Sequence, residues 1–482
     1  MVPLFLQQRL LSRKQNKLNW SYRMNTLSDQ KKARILLIQP SQIDDDGTLR
    51  KSEKGLFPRL ALPQLASITP DEFETSIIDE FIEDIDFNAD VDLIGISATT
   101  PQAPRAYYIA EEFRKRGKKV VIGGMHASMV PDEVEQHADS ILIGEAEITW
   151  REALSDFKEN KLKPRYKNIE RIDITNIPSP QLSKLALDKY AVLFRPIQTT
   201  RGCPHNCDYC SVTNFFGKSY RHRSIDDVVR EIEALDSKYV FFVDDNIAAN
   251  PKRAKELFKA IAPLKIKWTS QCCMSIVYDD EMLELARDSG CINLMMGLES
   301  LSSESLETVN KKSINKVDDY FYMVDKLHRY GISLMAFMIF GFDFDDETVF
   351  EKTCKFAEDA KIDFPCYWIL TPYPNTPLYD RMESEGRIIV RDWAKYDCNH
   401  VVFKPKLMSP KTLQDGYNYA CKRVYSIPSI VKRFIIPSSF TPTFNRAKSL
   451  IRVVPPLITQ LKLFREGSIK KCSLASKYQI QE

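Results

Sequence analysis

The sequence predicts an α/β protein of two successive units, a doubly wound parallel sheet and then a partial barrel of six βα units, followed by a mainly helical C-terminal region. Three observations predict it. Short apolar runs bounded by Gly, Pro, Ser or Asp alternate with amphipathic stretches from Arg34 onward, the pattern of buried parallel strands and their crossover helices. That series runs twice, with proline-bearing residues between the runs. The chain has 482 residues, 44% hydrophobic and 28% charged, a globular composition with room for two or three domains.

In the first unit, residues 33–158, five strands are read at ILLIQP from Ile35, TSIID from Thr75, LIGISA from Leu93, VVIGG from Val120 and ILIGE from Ile141. Between the third and fourth, Ala106, Ile109, Ala110 and Phe113 repeat at helical spacing up to Gly117, a residue suited to the left-handed turn after a helix. The loops after the strands, Ser97 to Thr100, Gly123 to His126 and Gly144 to Glu147, are small and polar. They lie where open α/β sheets bind ligands, beyond the carboxyl ends of the strands. Residues 159–192 read as a linker, with Pro164, Pro178 and Pro180.

The second unit, residues 193–391, has strands at RPIQTT from Arg195, YVFFVD from Tyr239, KWTSQC from Lys267, INLMMG from Ile292, ISLMAFMIF from Ile332 and FPCYWIL from Phe364. Ser224 ahead of Asp226 and Asp227, and Asn250 ahead of Pro251, mark helix starts; Gly290 marks a helix end. Six units fall short of the eight of a complete (β/α)₈ barrel. Residues 392–482 read as helices and loops rich in Tyr, Phe, Pro and Lys.

A formal net charge of +3 conceals a polarity. Residues 1–32 form a basic leader, read as disordered, with seven Lys or Arg against Asp29 alone, and residues 391–482 hold 17 basic and 5 acidic side chains. The body between them is net −15. Nucleic-acid binding would need its Lys and Arg where the mass is. The basic ends instead suit peripheral contact with a membrane or another anionic surface. No uncharged apolar run approaches the ~18 residues of a spanning helix, and the first residues lack the apolar stretch of a secretory signal. A cytoplasmic location is expected, with Met24 as an alternative start.

Eleven cysteines, an odd number with none before Cys203, do not make a disulfide framework. Three of them sit in Arg201-Gly202-Cys203-Pro204-His205-Asn206-Cys207-Asp208-Tyr209-Cys210, directly after the first barrel strand. Three thiolates on one loop can hold three irons of a [4Fe–4S] cluster and leave the fourth iron open. The alternative is a structural zinc closed by His205 or a distant cysteine. Cys272, Cys273, Cys291 and Cys366 read as buried strand or helix residues.

This loop, placed after the first strand of a six-unit partial barrel, resembles that of the radical S-adenosylmethionine (SAM) superfamily. Further segments match in order: Phe242 to Asn246 after the second strand, Gly297 to Ser300 after the fourth, Met338 to Gly341 after the fifth and Tyr373 to Tyr379 after the sixth. The resemblance implies a [4Fe–4S] cluster on Cys203, Cys207 and Cys210. It also implies a SAM site with Tyr209 lending its backbone to the adenine, Asp244 and Asp245 at the amino end, Glu299 and Ser300 at the ribose and Ile339 at the adenine. One departure is Gly341-Phe342-Asp343-Phe344-Asp345, where relatives commonly carry Gly-x-Pro-Gly-Glu, so that loop's contacts are not carried over. The implied chemistry is reductive cleavage of SAM to a 5′-deoxyadenosyl radical, with the electron from a flavodoxin- or ferredoxin-type donor. That step needs no side-chain acid or base, and no catalytic side chain is assigned.

A Rossmann- or flavodoxin-like domain ahead of such a barrel resembles the cobalamin-binding radical SAM proteins, and GGMHASMVPDE and ILIGEAE match that group's loops. The Asp-x-His-x-x-Gly signature is absent, so the implied corrinoid has no histidine ligand from the protein. Its implied contacts are Ser97, Thr99, Gly123, Gly124, His126, Gly144 and Glu145. The implied activity is C-methyl transfer from SAM through methylcobalamin to an unactivated carbon of a large apolar substrate, an amphipathic small molecule whose best match is a bacteriochlorophyllide-type tetrapyrrole side chain. Phe57 to Pro63 resembles the corresponding segment of the bacteriochlorophyllide side-chain methyltransferases. The alternatives are methylation of a hopanoid or other lipid, a radical SAM cyclase or oxidoreductase of tetrapyrrole synthesis, and a non-catalytic Fe–S or corrinoid carrier.

Overall fold

The computed structural model describes residues 32–434 apart from 169 and 191–193. Nearly all of the basic leader, the end of the basic tail and Cys472 lie outside the described residues. Among the described residues no helix is long and apolar enough to cross a membrane.

The first unit comprises β1 (Ala33–Gln39), α1 (Ala61–Ile68), β2 (Phe73–Asp79), β3 (Leu93–Ser97), α2 (Ala103–Lys115), β4 (Lys119–Gly123), α3 (Met125–Met129), β5 (Ser140–Ile143), α4 (Ala146–Lys158) and β6 (Arg165–Lys167). The six strands are parallel in the order β2-β1-β3-β4-β5-β6. Alternate residues serve opposite faces, as a two-residue strand period requires. Ile35, Leu37, Leu93, Val121 and Leu142 pack with Leu62 of α1 and Trp150 and Leu154 of α4. Leu36, Ile38, Ile94, Val120 and Ile141 pack with Ala106, Ile109 and Phe113 of α2. The chain leaves β1 for β2 on one side and returns to β3 on the other, which opens a crevice at the strand ends.

The sixth strand comes from the stretch read as linker. In β6 only Tyr166 is buried, and its hydroxyl donates to Asp156 at 2.7 Å. One apolar residue in three carries no periodic signal.

The second unit comprises β7 (Arg195–Ile197), β8 (Thr200–Arg201), α5 (Ser211–Phe216), β9 (Arg221–His222), α6 (Ile225–Glu233), β10 (Tyr239–Phe242), α7 (Pro251–Ile261), β11 (Lys267–Gln271), α8 (Asp280–Asp288), β12 (Cys291–Glu299), α9 (Tyr320–Arg329), β13 (Ser333–Phe340), α10 (Val349–Asp359) and β14 (Phe364–Ile369). Six of its strands form an open parallel sheet in chain order, from β7 through β10 to β14. The Ser224 hydroxyl accepts from the Asp227 amide and the Asn250 side chain from the Arg253 amide, so both expected caps are made.

The run RPIQTT is not one strand. It ends at Ile197, and Thr200–Arg201 turns away to pair antiparallel with β9. In β12 and β13 the residues facing the helices are buried, while Met295, Met335, Phe337 and Ile339, with Trp368 of β14, are half-buried on the concave face.

Beyond the sheet follow α11 (Pro377–Ser384), α12 (Pro410–Val424) and α13 (Ile427–Phe434). Helix α12 packs on α10 and β14. Arg433, 2% exposed, fixes α13 by donating to the carbonyls of Ile362, Asp363 and Val424 at 2.8–3.0 Å.

Candidate functional site

The cysteine loop leaves β8 through Gly202, whose φ is +87° and where a Cβ would lie 2.2 Å from the Ser219 carbonyl. Only glycine fits there. Cys203 and Cys210 are half-buried and Cys207 is buried. Burial pushes the Cys203 thiol up to about 12 and the Cys207 thiol up to about 11, and the charges of neighbouring thiols add to both shifts. Bound iron reverses that preference, because a metal favours the thiolate. Among the described residues no His, Cys, Asp and Glu side chains converge as a single metal ion needs.

Around the thiols stand Tyr209, Asp245, Cys273, Glu299 and Lys311. The Asp245 carboxylate accepts from the Gly202 amide at 3.2 Å, and burial, then Asp244 beside it, pushes its carboxyl up to about 6. Glu299 ends β12 at φ +66°, 3.4 Å from the Lys311 ammonium. Burial opposes the charge on Lys311, but Glu299 and the thiols of Cys207, Cys273 and Cys210 hold it protonated well above its ordinary range. The Ser300 hydroxyl accepts from the Ser302 amide at 3.0 Å, and Ile339 is half-buried at the end of β13, in register with Trp368.

Two expectations at this site are corrected. Asp244 does not face the site: it is fully buried and its carboxylate accepts from the Thr199 amide at 2.6 Å, the Thr199 hydroxyl at 2.5 Å and the Thr200 amide at 3.0 Å. It ties the end of β10 to the entry of the cysteine loop. Cys273 is not a core residue: it is half-buried near the thiols, and its amide and sulfur meet Asn246 at 3.2 Å. Lys311 and Cys273 were missed as site residues because neither sits in a motif or a periodic pattern, and only the barrel brings them in. The departing loop after β13 is closed by Asp345, which accepts from the Gly341 and Phe342 amides at 2.9 and 3.0 Å.

At the strand ends of the first unit lies a cleft of about 220 Å³. Its floor is the bare backbone of Gly95, Gly123, Gly124 and Gly144 with Ser97; Leu60, Gln64 and Trp150 form one side. Gly124 has φ +99° and a Cβ there would lie 2.7 Å from the Ala98 carbonyl. With Ile96, Val121 and Leu142 beside the glycines, the floor is backbone and small apolar side chains, open above the strand ends. The opposite wall comes from the second unit: Gln198, Arg201, Phe215 and Phe216, the last two on α5 immediately after Cys210. Helix α3, after the Gly123-Gly124 turn, touches α5. Residues flanking the cysteine loop on both sides therefore share one cleft with the glycine loops of the first unit.

Three expected corrinoid contacts have other partners. Glu145 lines the cleft, but its buried carboxylate accepts from both Nη atoms of Arg221 at 2.7 and 2.6 Å and lies 3.7 Å from Arg201, while Glu147 pairs with Arg201 at 2.6 Å. It joins the two units. His126 is 1% exposed, with Nε2 3.0 Å from the Tyr107 hydroxyl and its ring against Trp393. Thr99 is exposed and its hydroxyl donates to Gln102 at 2.8 Å, closing a helix cap. Neither His126 nor Thr99 lines the cleft. A second seam joins the first unit to the residues after β14: Trp393 donates to Glu133 at 2.8 Å, His400 lies 2.8 Å from Asp397 and 3.2 Å from Asp45, and Lys395 pairs with Asp45.

Three family models match the chain: the B12 binding domain over residues 59–154, the radical SAM superfamily over residues 197–357 and a domain of unknown function (DUF4070) over residues 376–455. The chain is 35% identical over 416 residues to bacteriochlorophyllide d C-12(1)-methyltransferase of Chlorobaculum tepidum, covering 83% of this chain and 88% of that one. It is 32% identical over 452 residues to bacteriochlorophyllide d C-8(2)-methyltransferase of the same organism, covering 88% and 96%. Among solved structures, the cobalamin-dependent SAM radical enzyme OxsB with aqua-cobalamin and SAM bound matches with a TM-score of 0.62 at 16% identity, over 90% of this chain and 75% of that one.

Proposed function

The chain belongs to the cobalamin-binding radical SAM methyltransferases, and on that premise we propose that its substrate is a bacteriochlorophyllide-type tetrapyrrole, methylated at an unactivated side-chain carbon. As a member of this family it is an enzyme that uses a [4Fe–4S] cluster, SAM and cobalamin. The observation that carries the reading is the shared cleft, where α5 behind the cysteines faces the glycine floor of the first unit.

In this reading Cys203, Cys207 and Cys210 hold the cluster. SAM lies among Tyr209, Asp245, Glu299, Ser300 and Ile339, with Lys311 as their cation, and Asp244 positions the loop without touching SAM. The corrinoid lies against Ser97, Gly123, Gly124 and Gly144. When bound, the cluster would supply the electron that cleaves a C–S bond of SAM and so the means to take a hydrogen atom from an unactivated carbon, and the corrinoid would supply the methyl group. The protein binds, orients and keeps water away from what is formed. Met295, Met335, Phe337, Ile339 and Trp368 give the concave face an apolar, partly aromatic lining suited to a flat macrocycle. A flavodoxin- or ferredoxin-type protein supplies the electron, and the basic ends meet an anionic surface near which such a substrate partitions.

The test is anaerobic turnover of the reconstituted protein with reductant, methyl-labelled SAM and a bacteriochlorophyllide d. Label in the pigment and loss of it in Cys207→Ser are expected. Pigment without label, with label appearing in a hopanoid offered in parallel, would overturn the substrate.

A further inference from the structure

Glu299 reaches its place by an irregular route. At the end of β12, Gly297 is in register with Phe337 of β13 and Glu299 already with Met338, so β12 carries one extra residue there. Such bulges re-aim a side chain, and they gather next to active sites. The backbone of Glu299 has φ +66°, a conformation that residues with a Cβ rarely adopt. Its carboxylate folds back along its own strand over Gly297, where a Cβ would collide with it, and stands 3.4 Å from the Lys311 ammonium.

A strained residue keeps its conformation only when its surroundings over-determine it. Asn315 and Tyr320 do so here. Asn315, 2% exposed, donates from Nδ2 to the carbonyls of Gly297 and Leu298 at 2.8 and 2.9 Å. Tyr320, fully buried at the start of α9, donates its hydroxyl to the Leu298 carbonyl at 2.7 Å, with the Ser300 carbonyl at 3.3 Å. The carbonyls on both sides of Glu299 are thereby held, while none of these bonds reaches Glu299 itself. The Asn315 amide also donates to the Lys311 carbonyl at 3.0 Å, so one stretch of chain fixes both members of the ion pair. A neutral amide and a phenol suit the task, because they hold the strand end without adding a charge beside the Glu299 carboxylate.

Resting on the reading of Glu299 as the ribose group of the SAM site, the geometry points to Asn315 and Tyr320 as positioning residues that aim its carboxylate at the two ribose hydroxyls. They act through the bulge of β12 and do not touch SAM. The enzyme's preference for a ribose diol is therefore set in part by side chains behind the strand.

The test is calorimetric titration of the full chain, loaded with its cluster and corrinoid, with S-adenosylhomocysteine and with its 2′,3′-dideoxy counterpart, neither of which is a methyl donor. Wild type should prefer the diol by about tenfold or more, the worth of hydrogen bonds to a charged group. In Asn315→Ala that ratio should fall several-fold, through weaker binding of the diol while the dideoxy compound binds as before. Tyr320→Phe removes only the hydroxyl and should shift the ratio the same way; it decides the matter if far-ultraviolet dichroism shows Asn315→Ala unfolded. A wild-type preference retained in full by the folded variants, even where both affinities drop together, would overturn the positioning role and leave Glu299 standing. No preference in the wild type would overturn Glu299 as the ribose group, and the positioning role with it.

Discussion

Glu145→Gln tests whether charged contacts hold the two cofactor loops in register. The wild-type carboxylate has 1% side-chain exposure and takes a two-pronged grip from Arg221 at 2.7 and 2.6 Å, with the Ile172 amide at 3.3 Å. Removing one partner of a buried pair costs about 3–5 kcal/mol, because the other charge is left in place. Here Arg201 keeps Glu147 at 2.6 Å and Arg221 keeps the Ile172 carbonyl at 2.9 Å, so the lower end applies, about 3 kcal/mol. That corresponds to a population shift of roughly 100-fold toward separated units. Hydrogen exchange reads it locally: protection should fall at Ile172 and along Thr200 to His222 while β12 and β13 stay unchanged. Turnover reads it functionally, since 5′-deoxyadenosine should accumulate in excess over methylated product when the cleft opens. A double-mutant cycle with Arg221→Met should recover part of the loss, as removal of both charges does not leave one orphaned. Exchange and product ratio both unchanged in Glu145→Gln, with a stability loss under about 1 kcal/mol, would refute the idea that this pair sets the register.

Cys203→Ser should abolish the cluster's brown absorbance and its reduced-state electron paramagnetic signal while far-ultraviolet dichroism stays native, since the loop is not part of either core. Gly124→Ala should cost about 1–3 kcal/mol, because φ +99° and an Ala98 carbonyl 2.7 Å from the new Cβ leave it no room; corrinoid retained on a desalting column should fall with it. Burial alone lowers the His400 pKa, but hydrogen bonds to Asp397 and Asp45 push it up to about 9. A raised folded pKa stabilises fully below the unfolded value of about 6.5 and is lost as pH rises through about 9, some 3 kcal/mol in all. Urea midpoints measured from pH 6 to 10 should therefore decline in the wild type and stay flatter in His400→Gln.

What the sequence made legible was whatever local chemistry dictates. The strand runs, the caps at Ser224 and Asn250, and three cysteines on one loop each follow from neighbours a few residues apart. What it hid was set by distance in the chain. Asp244 sits in a strand-end segment suited to the SAM amino end, yet its carboxylate is taken by Thr199 and Thr200, 45 and 44 residues earlier. Glu145 sits in a loop of the right composition for a ligand, yet its partner Arg221 is 76 residues away. Lys311 is unremarkable by spacing, and only the packed barrel buries it beside the thiols.

The two seams explain how a chain with separate cores can work as one site. Among the described residues the apolar cluster of the barrel and the two clusters of the first unit do not merge: the barrel cluster begins at Ile197, and the others end by Tyr190. Across the boundary run polar contacts, Glu145 and Glu147 with Arg201 and Arg221 on one side of the cleft, and Asp45, Glu133 and Arg50 with Lys395, His400, Trp393 and Asp397 on the other, together with the edge-to-face contact of Phe57 with Phe241 at 4.9 Å. A polar seam differs from an apolar one in kind, because its geometry is specific while its net stabilisation is modest. Such a joint holds the cluster loop and the glycine floor in register through directional contacts. Since Glu145 and Arg201 are buried and the Arg221 side chain is only 14% exposed, salt screens them little. Raising ionic strength should leave the register intact, as measured by exchange at Ile172, whereas removing the Glu145 charge should not.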